Sequence, residues 1–274
     1  MSKTSKHALY YSDDLMINLQ LRFGEGLLSP GGAEELARLA APVDLKGMRG
    51  LDLGCGIGGY DSLLVEGHGA AHVTGVDINA AAVKIARQRA ADAGLSDRLA
   101  FDVVEPGSLP FADAAFDFTF SKDSIVDMPE KAAVLAELHR VTRAGGHLLI
   151  TDWFRSDAPY TPEMKAWATT GVETYEMASL ASTVEDLAAA GFIDIETDDR
   201  SDWFISFCRD EFERLSGPLL PAYVRQFGEE SARRSVHNSQ IRLQLAEQRQ
   251  LLTAHVRARK PGQLETPAAH TSSR

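Results

Sequence analysis

Stretches with the character of β-strands alternate with helical patterns from about residue 47 to residue 152. The strand-like stretches end in glycine or polar residues and cover 48–54, 71–79, 99–105, 116–123 and 146–153. Helical patterns separate them at 59–67, 80–93 and 129–143. Because strands separated by helices are joined by right-handed crossovers, this alternation predicts a parallel β-sheet.

The second half of the chain departs from this alternation. Residues 193–199 and 250–259 have the character of two further strands, and the long segment between them is helical and charged. This order predicts a helical cap that is inserted before the last strand. The polar tail at 261–274 is predicted to be flexible.

Composition limits the classes of protein to which the chain can belong. Of the 274 residues, 44% are hydrophobic, which is typical of a globular protein. No apolar run approaches the roughly 18–20 residues of a membrane span, and the N-terminus lacks an apolar signal segment, so we predict a cytoplasmic protein without membrane contact. The net charge of -11 argues against a nucleic acid partner. Two cysteines, and histidines without ligand spacing, predict neither a disulfide framework nor a metal site.

A glycine-rich loop follows the first strand, in the sequence LDLGCGIGGY. Gly54, Gly56 and Gly59 satisfy the G-x-G-x-x-G pattern, which dinucleotide-dependent oxidoreductases also use. Asp52 extends the loop to D-x-G-x-G-x-G, with Gly58 as its last glycine. A carboxylate at this turn favours a cofactor that carries an ammonium group and a positive charge, whereas a pyrophosphate requires positive potential there. A glycine turn that serves packing alone is the simplest alternative.

A second acidic residue, Asp77, ends the second strand in the sequence GVDIN. A carboxylate at this place can accept hydrogen bonds from both hydroxyl groups of a ribose. Both interpretations of the glycine-rich loop share this feature, so Asp52 does most to separate them.

With these motifs the chain resembles the class I S-adenosylmethionine-dependent methyltransferases over about residues 45–155. The resemblance rests on LDLGCGIGG, GVDIN, SLPFADAAFDFTFS and ELHRVTRAGGHLLITDW. It implies an α/β fold with a Rossmann-like, seven-stranded, mostly parallel sheet, an N-terminal helical lid and a helical cap before the last strand. We expect the lid at 1–45, the cofactor-binding core at 46–155, and the cap with the last strands at 156–260.

The same resemblance implies S-adenosyl-L-methionine as the cofactor. The glycine-rich loop would wrap its methionine part, and the acid after the second strand would bind its ribose. Glu105 aligns with a residue that contacts the adenine amine and is commonly aspartate in the family; a carboxylate of either length can accept from that amine. The cofactor contacts implied in the core are Asp52, Gly54, Gly56, Asp77, Ile78 and Glu105.

A closer resemblance, to phosphoethanolamine N-methyltransferases and related small-molecule N-methyltransferases, rests on two regions. The segment YYSDDLMINLQLRFGEGLLSPGG resembles their lid, and SKDSIVDMPEK with GGHLLITDW resembles the ends of their fourth and fifth strands. By this match Tyr11 falls on the family's catalytic tyrosine. Leu28 and Ser29 fall on cofactor contacts, and Lys122 and Asp123 fall on cofactor and acceptor contacts.

Position 127 departs from the phosphoethanolamine enzymes, which place a histidine there, paired with the tyrosine. This chain has Asp127. A carboxylate of ordinary pKa is a weak base at neutral pH but a good partner for a cationic amine. We therefore predict Tyr11, Asp123 and Asp127 as catalytic residues for methyl transfer to the nitrogen of a small amine. The alternative for Asp127 is the cap of a helix that starts at Pro129.

Other functions stay open at this point. O- or S-methylation of a natural product or thioether would use the same cofactor, and a non-catalytic S-adenosylmethionine-binding protein would keep the same fold. A nicotinamide-dependent oxidoreductase is disfavoured by Asp52. Trp203 stands where a phosphate-binding tyrosine is expected, and Arg200 either pairs with a substrate carboxylate or lies at the surface. We expect a monomer or a homodimer.

Overall fold

The computed structural model describes residues 12–168 and 177–262, and these residues form one seven-stranded sheet. The strands are β1 (Arg49–Leu53), β2 (His72–Asp77), β3 (Leu99–Val103), β4 (Phe116–Lys122), β5 (Thr142–Arg155), β6 (Ile193–Asp199) and β7 (Leu251–Arg259). Their order across the sheet is β3-β2-β1-β4-β5-β7-β6. Strand β7 runs antiparallel to both of its neighbours, and the other pairs are parallel. The predicted seven-stranded, Rossmann-like α/β fold is confirmed.

Helices cover both faces of this sheet. In the described part of the chain they are α1 (Asp13–Phe23), α2 (Gly32–Ala40), α3 (Gly59–Glu66), α4 (Ala80–Asp92), α5 (Lys131–Val141), α6 (Pro162–Ala168), α7 (Leu180–Ala190), α8 (Ser201–Ser216) and α9 (Leu220–Glu247). The helix predicted at 129–143 is shorter, because the chain from Thr142 onward already belongs to β5. Across residues 12–168 and 177–262, no helix has the length and apolar character needed to cross a membrane.

Helix α4 shows how the local sequence directs the chain away from the sheet. The Asn79 side chain follows β2 directly and accepts hydrogen bonds from the N–H groups of Ala81 and Ala82, at 2.9 and 3.1 Å. Asparagine is a favoured N-cap because its side-chain oxygen satisfies amides that have no partner within the helix. The cap therefore fixes the direction of the chain immediately after Asp77.

Two apolar layers hold the sheet rigid from opposite faces. The layer beneath α2, α3 and α4 includes Leu36, Leu64, Phe101, Phe118 and Phe120. The layer beneath α5 and α7 includes Leu51, Leu135, Leu138, Ile150 and Leu187. Each fully buried side chain of this kind contributes about 1.5–3 kcal/mol to the free energy of folding. The strand ends that carry the polar side chains therefore project from a well-packed support.

The N-terminal helices and the helices between β6 and β7 meet above the sheet. Arg22 of α1 donates a hydrogen bond to the Glu211 carboxylate of α8 at 2.7 Å, and Arg242 of α9 pairs with the same carboxylate. The Tyr223 hydroxyl donates to the carbonyl oxygen of Asn18 at 3.0 Å. These contacts join the N-terminal lid to the cap, and α8 and α9 form the helical insertion that was predicted before the last strand.

Candidate active site

The ends of β1, β2, β4 and β5 come together at one edge of the sheet, which we call the carboxyl edge. In register, Asp52 of β1 lies beside Phe120 of β4, and Lys122 at the end of β4 lies beside Thr151 of β5. The strand order reverses between β1 and β4, and such a reversal opens the usual ligand crevice of a parallel sheet. The candidate site is therefore the crevice at this edge.

The lid segment between α1 and α2 lies directly on the glycine-rich loop. A Cβ atom on Gly59 would overlap the carbonyl oxygen of Gly26, and a Cβ atom on Gly56 would lie 2.9 Å from Leu28 Cδ1. Both glycines thus allow the lid to approach the loop closely. Leu28 lies against the loop, and its contact with the cofactor stays a prediction.

Tyr60, at the start of α3, attaches the lid to the core. Its hydroxyl donates toward the carbonyl oxygen of Pro30 at 3.0 Å and accepts from the N–H of Gly32 at 3.1 Å. The ammonium of Lys122 lies 5.4 Å from the centre of the Tyr60 ring, within the range of a cation–π interaction. Tyr60 is a neighbour of the candidate site that sequence analysis did not identify.

The first amides of the glycine-rich loop are already engaged in hydrogen bonds. The N–H of Gly54 donates to the carbonyl oxygen of Val76 at 2.8 Å, and the N–H of Gly56 donates to Asp77 Oδ2 at 2.9 Å. Gly54 has a φ of 82°, and a Cβ atom there would overlap Ser124 Oγ, so the position requires glycine. A pyrophosphate binds through free loop amides. Since these two are occupied, the geometry disfavours the dinucleotide interpretation.

Two carboxyl groups, those of Asp52 and Asp61, meet beneath the glycine-rich loop. The residues are 3% and 0% exposed, and the two carboxyl groups are close enough for each to influence the pKa of the other. Burial raises the pKa of both groups, that of Asp61 to about 7. No donor from another described residue reaches the Asp61 oxygen atoms. The raised pKa values favour the protonated form of these groups near neutral pH, and a positively charged group beside the pair would favour release of a proton.

Sequence analysis identified Asp52 and missed Asp61. The available signal was an acidic residue in the first turn of α3, a helix whose other inward positions are apolar. That signal is weak because acidic residues are also common at helix N-termini for reasons of the helix dipole.

The predicted ribose-binding residue Asp77 lies at the end of β2 and supports the loop. Besides the bond from Gly56, its Oδ1 atom accepts a hydrogen bond from the N–H of Asn79 at 2.9 Å. Ile78 beside it is half-buried, and Glu105 is exposed just beyond β3. The three predicted residues thus follow the ends of neighbouring strands along the same crevice.

Lys122 and Asp123 form a buried ion pair at the end of β4. The Nζ–Oδ2 distance is 2.9 Å, and the two side chains are 6% and 7% exposed. Burial raises the pKa of Asp123, and Lys122 and the nearby Ser29 hydroxyl offset part of that rise. No described residue provides a hydrogen bond to Asp123 Oδ1. Asp123 has a φ of 48°, which is unusual for a residue with a side chain and is typical of functional sites.

Asp127 and Asp152 continue this row of acidic side chains. Asp127 lies in the short 3₁₀ turn Ile125–Asp127, and Asp152 Oδ2 accepts a hydrogen bond from the N–H of Val126 in that turn at 2.9 Å. Burial raises the pKa of Asp152 well above its ordinary value, and the neighbouring charges of Asp123 and Asp127 raise it further. The alternative role of Asp127 as the cap of a helix at Pro129 does not fit, because α5 starts later and follows Glu130.

Aromatic side chains of the cap pack against the lid. The rings of Trp203 and Phe207 in α8 are stacked with centroids 5.7 Å apart. Trp203 also lies over the lid, 3.5 Å from the position that a Cβ atom on Gly31 would take. Trp203 thus packs at the junction of lid and cap.

Arg200 is neither a free surface arginine nor a free partner for a substrate. Its guanidinium donates to both oxygen atoms of Glu35 in α2, at 2.8 and 2.9 Å, and His255 Nε2 lies 3.3 Å from the same carboxylate. Burial alone would raise the pKa of Glu35, but hydrogen bonds from His255 and Arg200 lower it to about 2. Both sequence-based alternatives for Arg200 were therefore incomplete, because its partner is distant in the sequence.

Tyr11, the predicted catalytic tyrosine, lies outside the described residues, so its role stays a prediction. The other predicted residues lie at the carboxyl edge of the sheet or in the lid above it. Their roles in catalysis and in cofactor binding also stay predictions, to which the geometry adds Tyr60, Asp61 and Asp152 as neighbours.

The amino-acid sequence is similar to those of known methyltransferases. The sequence matches a family described as methyltransferase domain over residues 44–204. Phosphoethanolamine N-methyltransferase 1 of Arabidopsis thaliana is 31% identical over 206 residues, which cover 75% of this chain and 41% of the plant enzyme. The chain therefore spans less than half the length of this relative.

Two solved structures share most of the fold. Phosphoethanolamine N-methyltransferase 2 of Haemonchus contortus, in complex with phosphomonomethylethanolamine and S-adenosylhomocysteine, gives a TM-score of 0.86 at 24% identity and covers 95% of this chain and 61% of that one. The [4+2]-cyclase SpnF gives a TM-score of 0.75 at 24% identity and covers 95% and 98%. Because a methyltransferase and a cyclase share this fold, the chemistry must be argued from the side chains of the site.

Proposed function

The chain belongs to the methyltransferase domain family, and we propose that it transfers a methyl group from S-adenosyl-L-methionine to the nitrogen of a small-molecule amine. The observation that carries the proposal is the row of carboxyl groups formed by Asp123, Asp127 and Asp152 at the ends of β4 and β5. This row adjoins the glycine-rich loop through Ser124, which contacts Gly54. Family membership supports the assignment of S-adenosyl-L-methionine as the cofactor, and the carboxyl groups support the assignment of an amine as the acceptor.

The cofactor would lie between the glycine-rich loop and the lid. When bound, S-adenosylmethionine supplies an electrophilic methyl group on a sulfonium. Asp77 would accept from the ribose hydroxyls, and Glu105 would accept from the adenine amine. The buried pair of Asp52 and Asp61 would give a negative potential to the ammonium of the methionine part once that ammonium lowers the raised pKa values, and no described residue donates a hydrogen bond to the Asp61 oxygen atoms.

An amine acceptor suits the row of carboxyl groups. Aliphatic amines are cationic at neutral pH, and carboxylates in a poorly solvated site attract such a cation more strongly than exposed ones do. Burial raises the pKa of Asp152 most, and the repulsion from Asp123 and Asp127 that adds to this rise would be relieved by a positive charge placed among these groups. Asp123 and Asp127 would therefore bind and orient the amine.

The amine must lose a proton before its lone pair can attack the methyl carbon. A carboxylate of ordinary pKa accepts this proton poorly, but burial raises the pKa of Asp123 and makes it a stronger base. We propose that Asp123 takes the proton directly or that Tyr11 passes it to solvent. The remaining contribution of the protein is to hold the nitrogen in line with the transferred methyl group.

Two other functions remain alternatives. A thioether acceptor would become a sulfonium, which the same carboxylates would stabilise, so S-methylation competes with N-methylation on electrostatic grounds. A phenol would react as a phenolate, which these carboxylates would repel. The fold similarity to a [4+2]-cyclase also keeps open a protein that binds the cofactor without transferring its methyl group.

The test is a screen for methyl transfer from labelled S-adenosylmethionine to a panel of amines, thioethers and phenols. We expect labelled product from at least one amine, and we expect Asp127→Asn to lower both the affinity for that amine and the turnover. Asp157→Asn, which changes an exposed aspartate after β5, serves as the matched control. Product from thioethers or phenols alone, or an Asp127→Asn variant equal to the control, would refute the proposal.

A further inference from the structure

Three tryptophans, which are all that the sequence contains, gather at the lid–cap junction with two phenylalanines. Trp153 stacks on Trp167 with centroids 6.0 Å apart and an interplanar angle of 27°, and it contacts Phe204 at 5.6 Å. Phe204 and Phe207 are stacked at 6.5 Å, and Phe207 continues to Trp203. We call these five residues the aromatic wall. Each tryptophan keeps part of its surface exposed, so the wall is not a closed core.

The aromatic wall begins immediately beside the carboxyl groups of the proposed site. Trp153 follows Asp152 in β5, and its backbone N–H donates to Asp152 Oδ1 at 2.8 Å. The other oxygen of Asp152 accepts from Val126 in the turn that ends at Asp127. Val126 itself packs in the same apolar cluster as Trp153 and Phe204, so the wall adjoins the turn that carries Asp127. An acceptor whose nitrogen lies among the carboxyl groups would place its remaining atoms against the wall.

Four basic side chains described at this junction are paired with carboxylates of the protein itself. Lys122 pairs with Asp123, and Arg200 pairs with Glu35. These partners are buried, which makes the pairs difficult to separate, because separation would leave a buried charge without compensation. Neither cation is free to bind an anionic group of a substrate.

The other two of these four cations, Arg22 and Arg242, share Glu211. Arg22 Nε lies 2.7 Å from one oxygen of Glu211, Arg242 pairs with the other, and the Glu211 side chain is 1% exposed. The guanidinium of Arg242 also lies over the Trp153 ring at 5.7 Å, so Glu211 holds the arginine that faces the wall. A protein binds a phosphate group through cationic donors such as the guanidinium of arginine. Here the donors of Arg22 and Arg242 are directed to the Glu211 carboxylate instead.

We infer that the acceptor is a cationic amine without a phosphate group, whose apolar or aromatic body packs against the aromatic wall. The inference rests on the proposed function, and it separates this chain from the Haemonchus enzyme, whose structure holds phosphomonomethylethanolamine. The carboxyl groups would bind the ammonium of the acceptor, and the aromatic wall would contact its apolar or aromatic body. Glu211 disfavours a phosphate group because it pairs with both arginines. A methylated ammonium product would also be stabilised by the electron-rich faces of the tryptophan rings.

Binding to the full chain loaded with S-adenosylhomocysteine, measured by calorimetry, tests the inference without turnover. The three ligands are ethanolamine, phosphoethanolamine and 2-phenylethylamine. We expect 2-phenylethylamine to bind at least about tenfold more tightly than ethanolamine, and phosphoethanolamine to bind no more tightly than ethanolamine. Tighter binding of phosphoethanolamine than of the other two, or no binding of either unphosphorylated amine, would overturn the inference.

Variants locate the effect within the site. Trp153→Ala is expected to remove the preference for 2-phenylethylamine, whereas Trp153→Phe should retain most of it. Glu211→Gln is expected to increase the affinity for phosphoethanolamine, while the exposed Glu213→Gln on the same helix should not. If Glu211→Gln does not fold, the two Trp153 variants and the binding of the three ligands to the unmodified protein still test the inference. Equal ligand preferences in Trp153→Ala and the unmodified protein would contradict the inference.

Transfer of labelled methyl groups separates this inference from the proposed function. Methylation of phosphoethanolamine, with none of the unphosphorylated amines, would refute the inference and leave N-methylation intact. Binding of 2-phenylethylamine, together with methyl transfer to thioethers alone, would support the inferred binding site and refute the proposed reaction at nitrogen.

Discussion

Replacing Asp61 by asparagine removes the ionisable partner of Asp52 while keeping the shape of the side chain. In the folded protein the pKa of Asp61 is raised by burial from its ordinary value of 3.8 to about 7. As the pH rises above the ordinary value, the unfolded chain loses this proton while the folded protein retains it. The stability that is present below about pH 4 is therefore lost progressively as the pH rises to about 7.

The size of this effect follows from the two pKa values. At about 1.36 kcal/mol for each pH unit, the interval between 3.8 and about 7 corresponds to about 4 kcal/mol of unfolding free energy. Asparagine does not titrate, so Asp61→Asn should gain about 2 kcal/mol relative to the unmodified protein between pH 5 and pH 7. The amide of the variant can also donate a hydrogen bond to the Asp52 carboxylate.

Urea denaturation followed by tryptophan fluorescence, carried out on the protein without cofactor at pH 5, 6, 7 and 8, measures this difference. Asp97→Asn, which changes an exposed aspartate, is the control and should show no such trend. The reasoning is refuted if the stability difference between Asp61→Asn and the unmodified protein is the same at pH 5 and at pH 7. The pair would then not hold a proton in the folded state.

Three further outcomes follow from the same contacts. Gly54→Ala should abolish binding of S-adenosylhomocysteine, because φ is 82° and a side chain there would overlap Ser124 in the turn after β4. Gly94→Ala, where φ is also positive at 69° but the space is open, should bind normally and so isolates the effect of the overlap. Asp77→Asn should weaken S-adenosylhomocysteine binding by about tenfold or more in calorimetry, since it removes the charge that would accept the ribose hydroxyls. Arg22→Leu should lower the free energy of unfolding by about 1–3 kcal/mol in urea denaturation, because Glu211 loses one of its two arginine partners.

Each of these outcomes has a result that would contradict it. Normal cofactor binding by Gly54→Ala would mean that the loop and the turn after β4 can separate without consequence. Unchanged affinity in Asp77→Asn would show that the end of β2 does not contact the cofactor. An Arg22→Leu protein as stable as the unmodified chain would show that Arg242 alone satisfies Glu211.

The sheet could be predicted from the sequence because its signals are local. Alternating strand and helix patterns indicate a parallel sheet through the geometry of crossover connections, and the predicted strand at 193–199 coincides with β6. The helix predicted at 129–143 was less accurate at both ends. Its helical pattern of polar and apolar residues continues past Val141. The residues from Thr142 onward nevertheless belong to β5, because they pair with the neighbouring strand β4.

The candidate site was predictable where a single residue carries a geometric requirement. Gly54 and Gly56 have positive φ angles that side chains disfavour, and Asp77 ends a strand at the carboxyl edge. Asp123 and Asp127 were also predicted as site residues, because they follow directly from the end of β4. Their roles in catalysis still depend on the experiments above.

The sequence by itself determined the order of the strands along the chain, the glycine-rich turn and the acidic residues at the ends of β2 and β4. The tertiary structure alone decided that Asp61 meets Asp52, that Arg200 belongs to Glu35, and that Glu211 holds two arginines from different helices. The physical reason is distance along the chain. Periodicity and turn chemistry act between close neighbours in sequence, whereas the pKa of a buried carboxyl group and the partner of a buried arginine depend on which elements the fold packs together.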